Sequence, residues 1–299
     1  MLHLDGRGIR SAPVSCSRTL RKVSMSLDPA LAASIRLVVS DIDGTLVRND
    51  KSLSERTRQA VARARAAGIG FTLVSARPPS GLGELVERLG IEGAVGAFNG
   101  GTLFEPGGSI VEAHRLSEAD ARRAVELLDE AGLPIWVFAD GLWIARDDST
   151  QHGAMERRAS RVEPTIASDF SPWLGRADKI MGVCDDHALV RRLEASVGAA
   201  LGSSANVVRS QPYFLDVTTA AANKGAGVEA LARAAGIPLE ATAAIGDMAN
   251  DVPMFAPVGL SVAMGQAPEE VRAQARHVTA SNEEDGVAQL LDQLVAARS

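Results

Sequence analysis

The chain has 299 residues, of which 46% are hydrophobic and 23% charged, with a formal net charge of −6. That composition belongs to a globular protein long enough for two domains. With no concentrated basic stripe it excludes nucleic acid as the main partner. No apolar run reaches the roughly 18 residues of a spanning helix, so no membrane partner is expected. Cys16 and Cys184 are the only cysteines. They imply no disulfide framework and a reducing, cytoplasmic compartment.

Residues 1–33 are basic and polar and lack the apolar centre of a secretory signal. They are expected to be a disordered extension, with Met25 as an alternative start. The stretch Leu37-Val38-Val39-Ser40-Asp41-Ile42-Asp43-Gly44-Thr45-Leu46 reads as a buried strand that runs into an acidic turn. Two carboxylates at the carboxyl end of a buried strand are costly unless a cation or proton offsets them. Open α/β sheets place their ligands at that end.

Ser52 to Ala67 reads as an amphipathic helix, with Ser52 and Glu55 at capping-box spacing and Gly68 closing it. A strand at Ile69–Val74 ends in Ser75-Ala76-Arg77-Pro78. A helix from Ser80 to Leu89 and a third strand at Ala94–Phe98 follow. Strand, helix, strand, helix, strand is the signature of a parallel sheet with right-handed crossovers. The pattern then changes. A hairpin around Glu105-Pro106-Gly107-Gly108, a helix at Ser117–Ala131 and strands at Ile135–Ala139 and Leu142–Ala145 come next. After them stand a strand at Lys179–Cys184, a helix at Asp186–Val197, and strands at Val207–Arg209 and Tyr213–Val217. This mixture reads as an inserted α+β domain over residues 103–208, with hinges at Gly100-Gly101 and Val208–Gln211. Trp136, Trp143 and Trp173 read as core or interface residues rather than a binding box, and Cys184 as core. His187 and His277 read as surface or helix-end groups, and Arg122 with Glu126 as a surface helix pair. Alternation resumes with a helix at Lys224–Ala235 and a strand at Ala241–Ile245 that ends in Gly246-Asp247-Met248-Ala249-Asn250-Asp251. A strand at Gly259–Met264 and two helices, at Pro268–Ala275 and from Glu284, complete the chain. The expected fold class is α/β, a Rossmann-like doubly wound parallel sheet over residues 34–102 and 209–299, split by the insertion.

Four clusters at strand ends call for one chemistry: Asp41 with Asp43, Ser75, Lys224, and Asp247 with Asn250 and Asp251. Carboxylate oxygens suit a hard cation such as Mg²⁺, which keeps several waters and takes one or two protein carboxylates. A lysine beside them neutralises charge and can hold a phosphoryl oxygen. A serine hydroxyl and the N–H groups after a strand end add an anion-binding concavity. Acid nucleophile, Mg²⁺, Lys and Ser together describe phosphoryl transfer through an aspartyl-phosphate.

On these residues the chain resembles the haloacid dehalogenase superfamily, in particular its Cof-type phosphatases with a type IIB α+β cap. Asp41-Ile42-Asp43-Gly44-Thr45-Leu46, Ser75, Lys224 and Gly246-Asp247-Met248-Ala249-Asn250-Asp251 stand in the family's order. Asn99-Gly100, Asn223-Lys224-Gly225, Ala263-Met264-Gly265 and the phrase from Ser281 to Ala288 accompany them. The resemblance implies Asp41 as nucleophile and Asp43 as general acid and base. It implies Mg²⁺ held by Asp41, the Asp43 main-chain carbonyl and Asp247, with Asn250 and Asp251 in support. Ser75, Ala76 and Lys224 would bind the phosphoryl oxygens, and Arg77, Asn99, Arg146 and His152 are candidate substrate contacts. Two residues depart from the family pattern: Ala76 where glycine is frequent, and Gln266, read as peripheral, where asparagine is. The implied activity is hydrolysis of small phosphate monoesters, whether sugar phosphates, small acids or phosphorylated cofactors, by a monomer or weak homodimer. A phosphomutase of the same superfamily and a receiver-like phospho-accepting module remain as alternatives.

Overall fold

The computed structural model describes residues 27–147 and 149–298. Most of the extension expected over residues 1–33 lies outside the described residues, but its end is ordered. There α1 (Pro29–Ser34) starts on the Asp28 side chain, which accepts the Ala30 N–H at 2.9 Å, and buries Ala32. An N-cap acid with proline in the first turn is sufficient reason for a helix to start here.

The core then contributes β1 (Leu37–Ser40), α2 (Glu55–Ala66), β2 (Gly70–Leu73), α3 (Gly83–Leu89), β3 (Val95–Ala97), β4 (Thr102–Phe104) and β5 (Ile110–Ala113). The insertion follows with α4 (Glu118–Glu130), β6 (Ile135–Ala139), β7 (Leu142–Ala145), α5 (Gly153–Ser160) and β8 (Pro164–Ile166). It ends with α6 (Ser171–Leu174), β9 (Ala177–Val183), α7 (His187–Leu201), β10 (Ala205–Gln211) and β11 (Phe214–Thr219). The core resumes with α8 (Lys224–Ala234), β12 (Thr242–Gly246), α9 (Val252–Phe255), β13 (Leu260–Ala263), α10 (Glu269–Arg272), β14 (His277–Val278) and α11 (Gly286–Ala296).

The core sheet runs β14-β13-β12-β1-β2 with every pairing parallel. All four β1 side chains are buried, because helices cover both faces of the sheet. Leu37 and Val39 pack in one cluster with Val228 and Leu231 of α8 and with Met254, while Val38 packs in another with Val61 of α2 and Leu291 of α11. A strand buried on both faces must be apolar throughout, which is why its sequence does not alternate. Burying each Val or Leu is worth roughly 1.5–3 kcal/mol, enough to hold β1 central.

The second sheet runs β10-β11-β9-β6-β7-β8 and is antiparallel except at β7/β8. Period-2 geometry sorts β6 between two clusters. Ile135, Val137 and Ala139 pack with residues of α4 and α7, whereas Trp136 and Phe138 join Trp143, Met181 and Phe214 on the opposite face. The rings of Trp136 and Trp143 meet edge-to-face with centroids 4.7 Å apart, a preferred aromatic geometry. That aromatic face belongs to the same cluster as core residues such as Phe98, so the cap lies on the core.

Several expectations change. The third strand does not extend the parallel sheet beyond one bridge, Val74 to Gly96; β3 pairs antiparallel with β4, and β4 with β5. Boundaries at 103 and 208 would cut both small-sheet and cap-sheet pairings, since β10 is bonded to β11 along its length. The chain therefore returns to the core after β11, at 220–223, rather than at Val208–Gln211. Trp173 is only partly buried, as is Cys184, while His277 is buried within β14 rather than at the surface. Arg122 pairs with Glu118 at 2.8 Å, and it is Arg123 that meets Glu126.

The cap of α2 also differs. Ser54, not Ser52, accepts the Thr57 N–H at 3.0 Å. Ser54→Ala should therefore cost about 1 kcal/mol, as lost N-caps do, whereas Ser52→Ala should cost less than about 0.5 kcal/mol. Urea denaturation of the two variants side by side checks this, and equal losses would contradict it.

Candidate active site

Adjacent parallel strands bring the motif acids together. Register pairs Ser40 with Ile245, and the Asp41 N–H donates to the Ile245 carbonyl at 3.0 Å. Asp41 and Asp247 thus leave the sheet side by side. Lys224 arrives as the first residue of α8, behind Asn223, whose side chain accepts the Ala226 N–H. Its ammonium donates to Asp41 Oδ1 at 2.6 Å and forms an ion pair with Asp251. Asp251 Oδ2 accepts the Asp247 and Met248 N–H groups, each at 2.8 Å. Asp41, Asp251 and Lys224 are all buried.

Three carboxylates share one cation here, and their protonation reflects it. Burial raises the Asp41 carboxyl, against the pull of Lys224 and with the push of Asp251. Asp247 is raised by burial and then by Asp41 and Asp251. Lys224 is raised too, because the two aspartates outweigh its desolvation.

Oxygens of Asp41, Asp247 and Asp251 lie within 4.8 Å of one another. Asp251 is fully engaged by Lys224 and two N–H groups. Asp41 Oδ1 takes Lys224, and Asp247 Oδ1 accepts the Thr45 hydroxyl at 3.0 Å. Asp41 Oδ2 and Asp247 Oδ2 are left for a cation. An all-oxygen set with excess negative charge fits a hard divalent ion that keeps most of its waters. Gly44, at φ +85°, allows this closeness: a Cβ there would lie 2.4 Å from Asp247 Oδ2.

Asp43 faces the same cleft but has a different environment. Arg77 grips it with two bonds, Nε to Oδ2 and Nη2 to Oδ1, both 2.7 Å, and Lys51 adds a third at 2.8 Å. Burial would raise this carboxyl, but the two cations outweigh it and hold it well below the usual range. Ser75 and Ala76 line the cleft on the turn after β2. Ala76 does not occupy the positive-φ region that glycine would favour, so its N–H remains available. Gln266 is not peripheral. It donates to the Gly44 carbonyl at 2.6 Å and accepts the Asn282 N–H at 3.2 Å, bracing the acidic turn from behind. Asn282 in turn donates to the Val47 carbonyl, which gives the phrase from Ser281 a task.

The remaining predicted residues divide. Asn250 lines the cleft beside Met248. Asn99 is buried at φ +58°, its side chain without a hydrogen-bond partner, on an adjoining pocket shared with Lys224 and Asn250. Arg146 is not in the cleft: it is paired with Asp129 and lies over the Phe170 ring. His152 stands one layer back, stacked on Tyr213 with centroids 4.1 Å apart and paired with Asp185 at 2.7 Å. The sequence reading missed Lys51, Glu156, Lys179 and Tyr213, all of which line the cleft. A lysine within the apolar run of β9 was a usable signal, since lysine is almost never buried unpaired.

A family model for haloacid dehalogenase-like hydrolases matches residues 38–291. A relative from Haemophilus influenzae is 29% identical over 259 residues, covering 86% of this chain and 97% of its own length. The HMP-PP phosphatase of Cronobacter sakazakii is 26% identical, with 81% and 89% covered. A solved haloacid dehalogenase-like hydrolase from Bacteroides thetaiotaomicron superposes with a TM-score of 0.76 at 27% identity, covering 86% of this chain and 98% of that one. The chain therefore belongs to the haloacid dehalogenase-like hydrolases. Relatives in that family, among them the Cronobacter sakazakii protein, are named phosphatases.

If Gly44 is required for the approach of Asp247, Gly44→Ala should lower kcat/KM by about 10², the usual effect of a misplacement near 1 Å. The fold should survive, as circular dichroism would report. Unchanged turnover would show that Asp247 tolerates displacement.

Proposed function

We propose that the protein is a Mg²⁺-dependent hydrolase of small phosphate monoesters, with Asp41 attacking phosphorus and carrying the phosphoryl group. The observation that carries this reading is the buried triad of Asp41, Asp247 and Asp251 around Lys224, opening onto a cleft that also holds Asp43 and Ser75. Lys224 orients the Asp41 carboxylate through its bond to Oδ1. Ser75 and the N–H groups of its turn are suited to hold the transferring oxygens. Bound Mg²⁺ would supply electrostatic stabilisation of the phosphoryl oxygens and hold them in line.

Asp43, gripped by Arg77 and Lys51, is an ionised carboxylate and in this arrangement is suited to act as a base. Donating a proton to the leaving oxygen requires it to give up at least one of those partners, since the two cations stabilise its charged form. Arg77 is therefore placed to exchange Asp43 for a substrate oxygen.

Removal of metal by exhaustive chelation should abolish turnover of an aryl phosphate, and Mg²⁺ should restore it. Ca²⁺ should inhibit, because its larger and looser coordination disturbs in-line geometry. Full activity after chelation would exclude the metal.

The two aspartates should separate in single-turnover experiments. Asp41→Asn should end all covalent turnover, since an amide attacks phosphorus poorly. Asp43→Asn should lose general acid–base catalysis, worth about 10²–10⁴. With an acidic phenol as leaving group the first step should survive better than the second. A burst of phenol followed by slow turnover, with phosphate trapped on Asp41, is the expected stopped-flow and mass-spectrometric result. Equal loss of both steps, without trapped phosphate, would overturn the role of Asp43.

A further inference from the structure

The turn after β2 carries the Ser75 hydroxyl, and three successive carbonyls of that turn are each held by a different donor. The Ser75 carbonyl accepts the Asn99 N–H at 2.7 Å, and the Arg77 carbonyl accepts the Phe98 N–H at 3.0 Å. Both donors belong to the core's own segment after β3. The Ala76 carbonyl between them accepts the Lys179 ammonium at 3.1 Å, and Lys179 belongs to β9 of the cap. A cap side chain therefore supplies one of three anchors of a core turn.

The anchor is a built one. Lys179 is 2% exposed, with Asp216 Oδ2 of the neighbouring strand 3.6 Å from its ammonium and the Phe138 ring centroid 4.8 Å away. A buried ammonium needs an opposite charge, and Asp216 provides it from within the cap. The bond to Ala76 is thus additional to what the cap requires for its own charge balance.

The peptide joining Ala76 to Arg77 is planar and trans, so its C=O and N–H point in opposite directions. Holding the carbonyl against the cap fixes the direction of the Arg77 N–H, which donates to Ser75 Oγ at 3.3 Å. A hydroxyl that accepts this bond keeps its own O–H to donate. A line of bonds runs from Lys179 through that peptide to Ser75, which lines the cleft. The cap meets the same loop again a few residues on. Ser80 Oγ donates to the Ser160 carbonyl at 2.6 Å. Gly81 has no side chain to keep α5 away: a Cβ there would lie 2.1 Å from the Ala159 carbonyl oxygen.

We propose that Lys179 is a positioning residue for phosphoryl binding. With the cap on the core, its ammonium sets the Ala76–Arg77 peptide and through it aims the Ser75 hydroxyl at the phosphoryl oxygens. The proposal rests on the phosphatase reading above and deepens it, since the phosphate end of the cleft is then completed by the cap. Phosphate carrying no leaving group at all should still bind better with Lys179 in place.

Inorganic phosphate is therefore the probe. Its affinity is measured by titration calorimetry with Mg²⁺ on Asp216→Asn and on Lys179→Met/Asp216→Asn, which differ in the ammonium alone. Loss of the ammonium should weaken phosphate at least about five-fold, the order of one hydrogen bond. With Ser75→Ala added to both proteins the difference should shrink to less than about two-fold, because the effect passes through that hydroxyl. Equal affinities with and without Lys179, as a lysine serving stability alone would give, overturn the proposal. So does an undiminished loss in the Ser75→Ala background. Gly81→Ala tests the same contact whether or not the double variant folds. Lys179 and Asp216 stay, but the added Cβ pushes α5 and the cap off the loop, and phosphate should weaken by about three-fold or more. Unchanged affinity in Gly81→Ala likewise overturns the proposal. Failure of the phosphatase reading would appear separately, as absence of phosphate release from any ester by the unaltered protein.

Discussion

The structure depends on one ammonium group. Lys224 is the buried cation between Asp41 and Asp251, with Asp247 alongside. Removing one member of a buried ion pair commonly costs about 3–5 kcal/mol, because the remaining charge is left without compensation. The surrounding architecture places these groups. β1 and β12 run parallel as neighbours, so Asp41 and Asp247 leave the sheet at the same edge. Asn223 caps α8 so that Lys224 is its first residue. Asp251 uses its second oxygen to hold the turn after β12. Each constraint is local, and together they keep three like charges within reach of one cation.

Those residues were legible in the sequence because each stands where an apolar run ends. The limits of legibility are equally physical. Ser52 and Ser54 both precede α2, and spacing to Glu55 favours the wrong one; only backbone geometry selects Ser54. Val95–Ala97 has the composition of a parallel strand, yet its neighbours on the chain, β4 and β5, capture it in a separate antiparallel sheet. α5 has eight residues and a sequence, Gly153 to Ser160, with little apolar periodicity, so nothing marked it as a helix or Glu156 as part of a wall.

The cap's contributions were harder to read for a different reason. Arg146 and His152 were selected by residue type, and type does not say which way a side chain points. Arg146 is satisfied by Asp129 on the cap's own surface. The informative residues were charges out of place: Lys179 and Asp216 interrupt two apolar strands. Buried charges require partners, and β9 and β11 prove to be paired, with Met181 opposite Asp216. Two opposite charges inside two apolar strands of one domain are therefore themselves a sign that the strands pair.

The same accounting explains how the cleft can select its ligand. Asp41, Asp43 and Glu156 line it with Lys51, Arg77, Lys179 and Lys224, and only with Asp216, Asp247 and Asp251 standing behind do the carboxylates outnumber the cations. A phosphate dianion entering such a cleft alone would add to an existing negative excess in a partly desolvated space, where charges interact strongly. A divalent cation held between Asp41 and Asp247 would reverse the sign at the point where phosphoryl oxygens would arrive. Metal and phosphate should thus each raise the affinity of the other, a coupling that is reciprocal by linkage.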